Sequence, residues 1–511
     1  MVCRPAGFLP SVRLCCAVLA SLAAAALASF PATAQDTPAP AQQAKAPGEQ
    51  ASNAETIAHL LRLIELQQKQ IEEQEKQSAA QQELIEAMQR TIESLNRRLA
   101  ELEARAGEES PRELEERLAK IEATASAKPE LPPEVVSAGD FPGSVRIPGT
   151  DAAMKFGGMV WTSIVRTFDA LGSDDRFLTH SIPVEGTPEA GKGPRLSLWA
   201  GPSRLNFDVR TPTEVGQMRA FIESDFAGSG AAMRLRHAYL QYRAFLVGQT
   251  WSTFSDPDTD VEDLDFEGLN AENVTRQAQV RYGRALREDL RLAVALEYPT
   301  ASITGGQSVN QFPDIIGRVR WLRGNGYLQG AVVFRQIRGE LESKPNVTQG
   351  VLGWGFSTSG VIPVTRWGAR DRFVFQLNAG KGIARYINDL NSLGGQDAIF
   401  VPSTEELRPL GAYGALVDYE HHWETDDDFL GLGLSLPDLR TSLIWGHVDV
   451  TNLAEQPGDA YNRTNRIGLT LVFSPIPRLD VGSELIYGTR QNKDGGSGSA
   501  MQLQLRMRYL F

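Results

Sequence analysis

Seven carboxylates crowd one short stretch of this 511-residue chain: Asp256, Asp258, Asp260, Glu262, Asp263, Asp265 and Glu267. Such a run can bind a divalent cation, line an ion path, or simply be a solvated acidic surface. Asp256, Asp258, Asp260 and Glu267 share the spacing of liganding positions in a calcium-binding EF-hand loop. However, Val261 stands where the sharp turn of that loop needs glycine, Pro257 disturbs its start, and no flanking helices are expected. Loose binding of divalent ions is then the only metal chemistry left, and no cofactor is expected. A second set of charges alternates with apolar residues along the chain: Arg204, Arg219, Arg234, Arg236, Arg281, Arg318 and Arg320. Guanidinium groups facing carboxylates across a water-filled lumen would create a transverse field that selects ions by charge. The simpler alternative is that many of these arginines are paired wall residues. Catalysis has little to work with. The six histidines include His421, His422 and His447, but no stretch spaces a nucleophile, a base and an orienting partner as hydrolysis requires.

Arginines can face a lumen only if the elements carrying them alternate. The final stretch shows the pattern most clearly. Met501, Leu503, Leu505, Met507, Tyr509 and Phe511 fall on one face, with Gln502, Gln504, Arg506 and Arg508 on the other. A lipid-facing apolar row opposite a polar interior row marks a transmembrane β-barrel strand. The pattern recurs. Leu205, Phe207 and Val209 alternate with Arg204, Asn206, Asp208 and Arg210; Ala278, Val280 and Tyr282 with Gln277, Gln279 and Arg281; Ile467, Leu469, Leu471 and Phe473 with Arg466 and Thr470. About sixteen such strands fit between residue 147 and the end, an even number as single-chain bacterial barrels require. Short links (211–216, 324–326, 474–477) alternate with long ones (170–194, 251–274, 300–312, 385–410), which is the alternation of periplasmic turns and outer loops. The fold class expected is an all-β transmembrane barrel preceded by a long α-helical coiled coil, with the acidic run on the third long loop.

The N-terminal third has a different composition. Residues 1–34 read as a secretory leader, with Arg4 and Arg13 ahead of an apolar run and a small-x-small cleavage site at Ala32-Thr33-Ala34. All three cysteines (Cys3, Cys15, Cys16) lie inside it, so the exported chain would have no disulfide frame. Residues 35–54 form a Pro/Ala/Gln-rich linker. Residues 55–124 carry heptads with Ile57, Ile64, Ile71, Ile85, Ile92 and Leu99 at one core position and Leu60, Met88, Leu95 and Leu102 at the other. Their core is polar from Gln67 to Gln81, and the residue choice leans toward three strands. A Pro/Gly-rich linker (125–146) precedes the barrel (147–511). Formal charge is −12, which argues against nucleic acid as a partner. No apolar run beyond the leader is long enough for a spanning helix.

Three segments resemble the DcaP-like outer-membrane porins: Gly248-Gln249-Thr250-Trp251-Ser252-Thr253-Phe254, Ser203-Arg204-Leu205-Asn206-Phe207 with Arg210-Thr211-Pro212-Thr213, and Arg236-His237-Ala238-Tyr239-Leu240. The order of leader, coiled coil, barrel and final phenylalanine also matches. The resemblance implies a homotrimeric sixteen-stranded porin in a Gram-negative outer membrane, with its coil in the periplasm, passing small, often anionic, dicarboxylate-like solutes. The strongly acidic third loop departs from a purely anion-selective pattern, as does the acidic turn after His421-His422-Trp423. The functional expectation is passive diffusion of small hydrophilic solutes, filtered by charge at a third-loop constriction. The rival is an envelope tether whose coil grips the cell wall or a periplasmic partner while the barrel anchors it in lipid.

Overall fold

The computed structural model describes residues 138–511 apart from 366–367, 369 and 424–435. The expected leader, first linker and coiled coil lie outside these residues.

Among the described residues the chain forms a closed antiparallel barrel of sixteen staves. They are β1 (Ala153–Thr167), β2 in two pieces (Arg195–Trp199 and Arg204–Thr213), β3 (Gly216–Asp225), β4 (Arg234–Tyr242), β5 (Phe245–Trp251), β6 (Arg276–Ala285), β7 (Leu290–Glu297) and β8 (Asp314–Arg323). The second half comprises β9 (Gly326–Leu341), β10 (Thr348–Pro363), β11 (Arg372–Lys381), β12 (Gly411–His422), β13 (Arg440–Thr451), β14 (Tyr461–Ile476), β15 (Leu479–Asn492) and β16 (Ser497–Leu510). Each stave pairs with its neighbours in sequence, and β16 closes onto β1 with Thr162 opposite Met507. Closure leaves no unpaired sheet edge, which lipid would not tolerate.

Alternation decides what faces lipid. Phe207, Ile222, Leu240, Val280, Leu296, Val319, Phe356, Leu377, Leu469 and Tyr487 are exposed on the outer surface. Their sequence neighbours Asp208, Gln279, Glu297, Gln376 and Thr470 are buried inside. One bulge modifies the rule. In the β3–β4 pairing Glu223 meets His237 but Ser224 meets Leu235, so Arg236 is the extra residue. The result is that Arg236 and His237, though adjacent, are both buried. The beginning of β1, Phe511 and the tight turns such as Tyr242–Phe245 and Arg323–Gly326 share one end; the long loops share the other.

The lumen is not empty. Residues 382–410, between β11 and β12, fold into the barrel and build an apolar core with its wall. Ile383, Tyr386, Ile387, Leu390, Ile399, Val401 and Leu410 pack there with Ile316, Val333, Val374, Leu416, Ile444 and Val448. A small three-stranded sheet (Ile303–Thr304, Ala398–Phe400, Leu407–Pro409) ties this segment to the loop after β7. Arg335, fully buried, bridges Asp314 at 3.4 Å and Asp397 at 3.2 Å, so the charges carried inward are compensated.

Candidate functional site

The acidic third loop, residues 252–275 between β5 and β6, crosses the lumen. Its root is held by Glu297 of β7, which accepts hydrogen bonds from the Ser252 hydroxyl and the Thr253 amide, both at 2.6 Å. Arg281 of β6 donates to the Thr253 hydroxyl at 2.8 Å and to the Trp251 carbonyl. Just before the root, Gly248 takes φ of 130°, and a Cβ there would stand 2.3 Å from the Ala238 carbonyl oxygen, so this close approach requires glycine. From the root the loop reaches the opposite wall, where five of its seven acids meet a cation or a donor. Asp256 accepts from Ser359 of β10 at 2.6 Å and pairs with Arg320, which also holds Asp258. Glu262 pairs with Arg440 of β13 at 2.9 Å and Arg506 of β16 at 3.3 Å. Asp265 pairs with buried Arg466 of β14 at 2.8 Å, and Glu267 with Arg176 of the first loop at 3.4 Å. Glu484 of β15 accepts from the Leu264 and Asp265 amides at 2.6 and 3.1 Å. Phe254 and Leu269 join the apolar core on the loop's other side.

The loop thus divides the lumen. One side is filled by the core just described. The other holds a cavity of about 690 Å³ bounded by β1–β6, β16 and the loop itself. Of the seven sequence-predicted arginines, Arg204, Arg234 and Arg236 line it. Arg234 and Arg236 share Asp225 at 2.8 and 3.0 Å, and Arg236 also holds Glu223 at 2.9 Å. Arg204 makes no ion pair among the described residues. The other four do not border this cavity. Arg320 and Arg281 secure the loop, Arg219 pairs with Asp208 at 2.9 Å elsewhere, and Arg318 lies outside the lining. Of the predicted carboxylates, Asp260, Glu262, Asp263, Asp265 and Glu267 border the cavity, whereas Asp256 and Asp258 are drawn to Arg320.

Sequence reading missed several lining residues. Arg276 opens β6, has no ion pair among the described residues, and lies 4.5 Å over the Trp251 ring. Arg176 comes from the first loop, where no strand alternation marks it. Glu272 follows the acidic run closely enough that its charge was the only available signal. Burial, reinforced by nearby Asp260, pushes the Glu272 carboxyl up to about 8. Burial likewise raises Asp263 well above the carboxylate range, with Glu484 adding to it. Burial and neighbouring Glu262 raise Asp260. Among the described residues no three metal-ligating side chains converge. A Ser392–His180–Asp389 cluster holds the three residue types of a hydrolase, but the Ser392 hydroxyl is 3.4 and 3.3 Å from the two ring nitrogens and in line with neither. Asp389 is saturated by Thr179, the His180 amide, Tyr461 and Thr464 at 2.7–2.8 Å, so the cluster is a lock between loops.

The sequence profile of the DcaP outer membrane proteins matches residues 62–511. The chain belongs to that family. The outer membrane channel DcaP of Acinetobacter baumannii has a similar crystal structure, with TM-score 0.60 and 20% identity over 70% of this chain and 97% of that one. At that identity the likeness is one of fold. An anion-selective porin from Comamonas acidovorans (TM-score 0.46, 11% identity, 70% of this chain and 100% of that one) is more distant. So is OmpT of Vibrio cholerae (TM-score 0.43, 12% identity, 71% and 98%). No curated protein matches the chain. This DcaP-family protein is an outer-membrane channel of the porin type, and its family and structural neighbours are channels, not enzymes.

Proposed function

We propose that the channel passes small hydrophilic anions, dicarboxylates among them, by passive diffusion, and that the third loop sets their passage. The observation that carries this is an imbalance of pairing. Asp256, Glu262, Asp265 and Glu267 are committed to wall or loop arginines, while Arg204 and Arg276 enter the cavity with no carboxylate partner among the described residues. Of the acids that could oppose them, Glu272 and Asp263 are held toward their neutral forms by burial. The local balance therefore favours anions although the chain as a whole is acidic. Reversal potential across a planar bilayer under a salt gradient tests this directly. A sign showing anion preference is expected; cation preference would overturn it.

We further infer a homotrimer. A barrel strand needs roughly 9–11 tilted residues to cross the hydrocarbon band. Strands β9, β10 and β14 run to 16 residues, but β5 has 7 and β7 has 8. A low wall is poorly suited to lipid and well suited to a neighbouring copy. A periplasmic coiled coil over residues 55–124 would bring three such chains into one assembly and offer a grip for a cell-wall partner.

A further inference from the structure

A second cluster of cations lies at the tight-turn end, which in this architecture faces the periplasm. Arg210 of β2, Gln217 and Arg219 of β3, Gln241 of β4 and Arg243 of the β4–β5 turn enclose a pocket of about 220 Å³. Two of the three guanidinium groups share one carboxylate, Asp208, which holds Arg210 at 2.7 Å and Arg219 at 2.9 Å. Arg243 makes no ion pair among the described residues and no acid lines the pocket. Two of the arginines are also held in place before any ligand arrives. Arg210 lies 4.2 Å over the Phe141 ring, and Arg219 lies 5.1 Å over Phe221 and 5.8 Å over Tyr239. Planar guanidinium groups fixed by aromatic faces, with two amides beside them, suit bidentate recognition of an oxyanion.

We propose that this pocket is an exit site for small multivalent carboxylates, distinct from the cavity beside the third loop. An anion leaving the upper cavity would exchange there before release into the periplasm. The site stands on its own geometry, so it does not depend on the selectivity assigned above to the upper cavity.

The test is block of potassium chloride current by citrate, a bulky tricarboxylate, added to one side of single channels in a planar bilayer. Arg243→Asn removes the charge and suits the left-handed backbone at this turn, where φ is 54°. Gln217→Glu places a carboxylate in the pocket from an exposed position at its rim. Citrate from the periplasmic side is expected to block more strongly than from the outer side. Each variant should weaken the periplasmic block by about tenfold, the loss of one charge-assisted contact, with a smaller change from the outer side. Equal block from both sides, or periplasmic block that neither variant changes, would overturn the site. So would relief by Arg204→Gln alone, because binding would then belong to the upper cavity. Cation preference in the reversal potential combined with variant-sensitive periplasmic block would retire the upper-cavity reading and leave this one standing.

Discussion

At the scale of single residues, a charge counts in a pore only when nothing nearby neutralises it. Asp265 is one of seven acids in a row, yet Arg466 at 2.8 Å cancels most of its field. Arg204 and Arg276 have no such partner among the described residues, so each should govern permeation more than its neighbours do. Replacing either with Gln is expected to lower the anion-to-cation permeability ratio a few-fold, since one charge several ångströms from the path in a wet lumen is worth ~0.5–1 kcal/mol. Glu272 gives the pH dependence. Its carboxyl titrates near 8, so it is neutral below that pH and anionic above it. Anion preference should therefore fall as pH rises through about 8, and Glu272→Gln should flatten that step; reversal potentials measured across the range check both outcomes.

At the scale of elements, the third loop is a strut fixed at both ends. Buried carboxylates cost several kcal/mol unless paired, and the loop meets that demand by reaching Arg320 on β8 and Arg466 on β14. Breaking the deeper tie should cost most. Asp265→Asn leaves buried Arg466 with Glu484, at 3.3 Å, as its one remaining carboxylate partner among the described residues, and about 3–5 kcal/mol of destabilisation is expected, read as a lower temperature of heat modification on gels. Arg320→Gln frees Asp256 and Asp258 close to the loop's root, and should instead raise open-channel current noise while the barrel stays folded. The strand alternation behind this wall was legible because its period is two everywhere a lipid face is built. The bulge turning both Arg236 and His237 inward was not, because one phase slip between outward Leu235 and outward Leu240 is too short to stand out as a pattern of its own.

At the scale of the molecule, the uneven wall is the main feature. If the short staves β5 and β7 meet another copy, unheated protein should migrate at three times the monomer mass and conductance should appear in steps of three. Removing residues 51–124 separates the two roles weighed for the N-terminal part. A porin keeps its conductance without the coil, whereas a tether loses envelope integrity while the barrel persists.

The sequence by itself determined the class of fold, the strand count, the alternation of short and long links, and which loop carries the acids. These follow from local rules: a strand half in lipid must alternate, and a turn must break it. Tertiary structure alone decided which charges are free. The same seven acids and seven arginines divide between pairing, loop anchoring and the cavity according to where a loop lands across the barrel. For Asp265 that partner is Arg466, some two hundred residues away in sequence. It likewise decided that residues 382–410 fill one side of the lumen with Ile383, Tyr386, Ile387 and Leu390. Pairing energy depends on distance in space, and no local pattern in the chain encodes that distance.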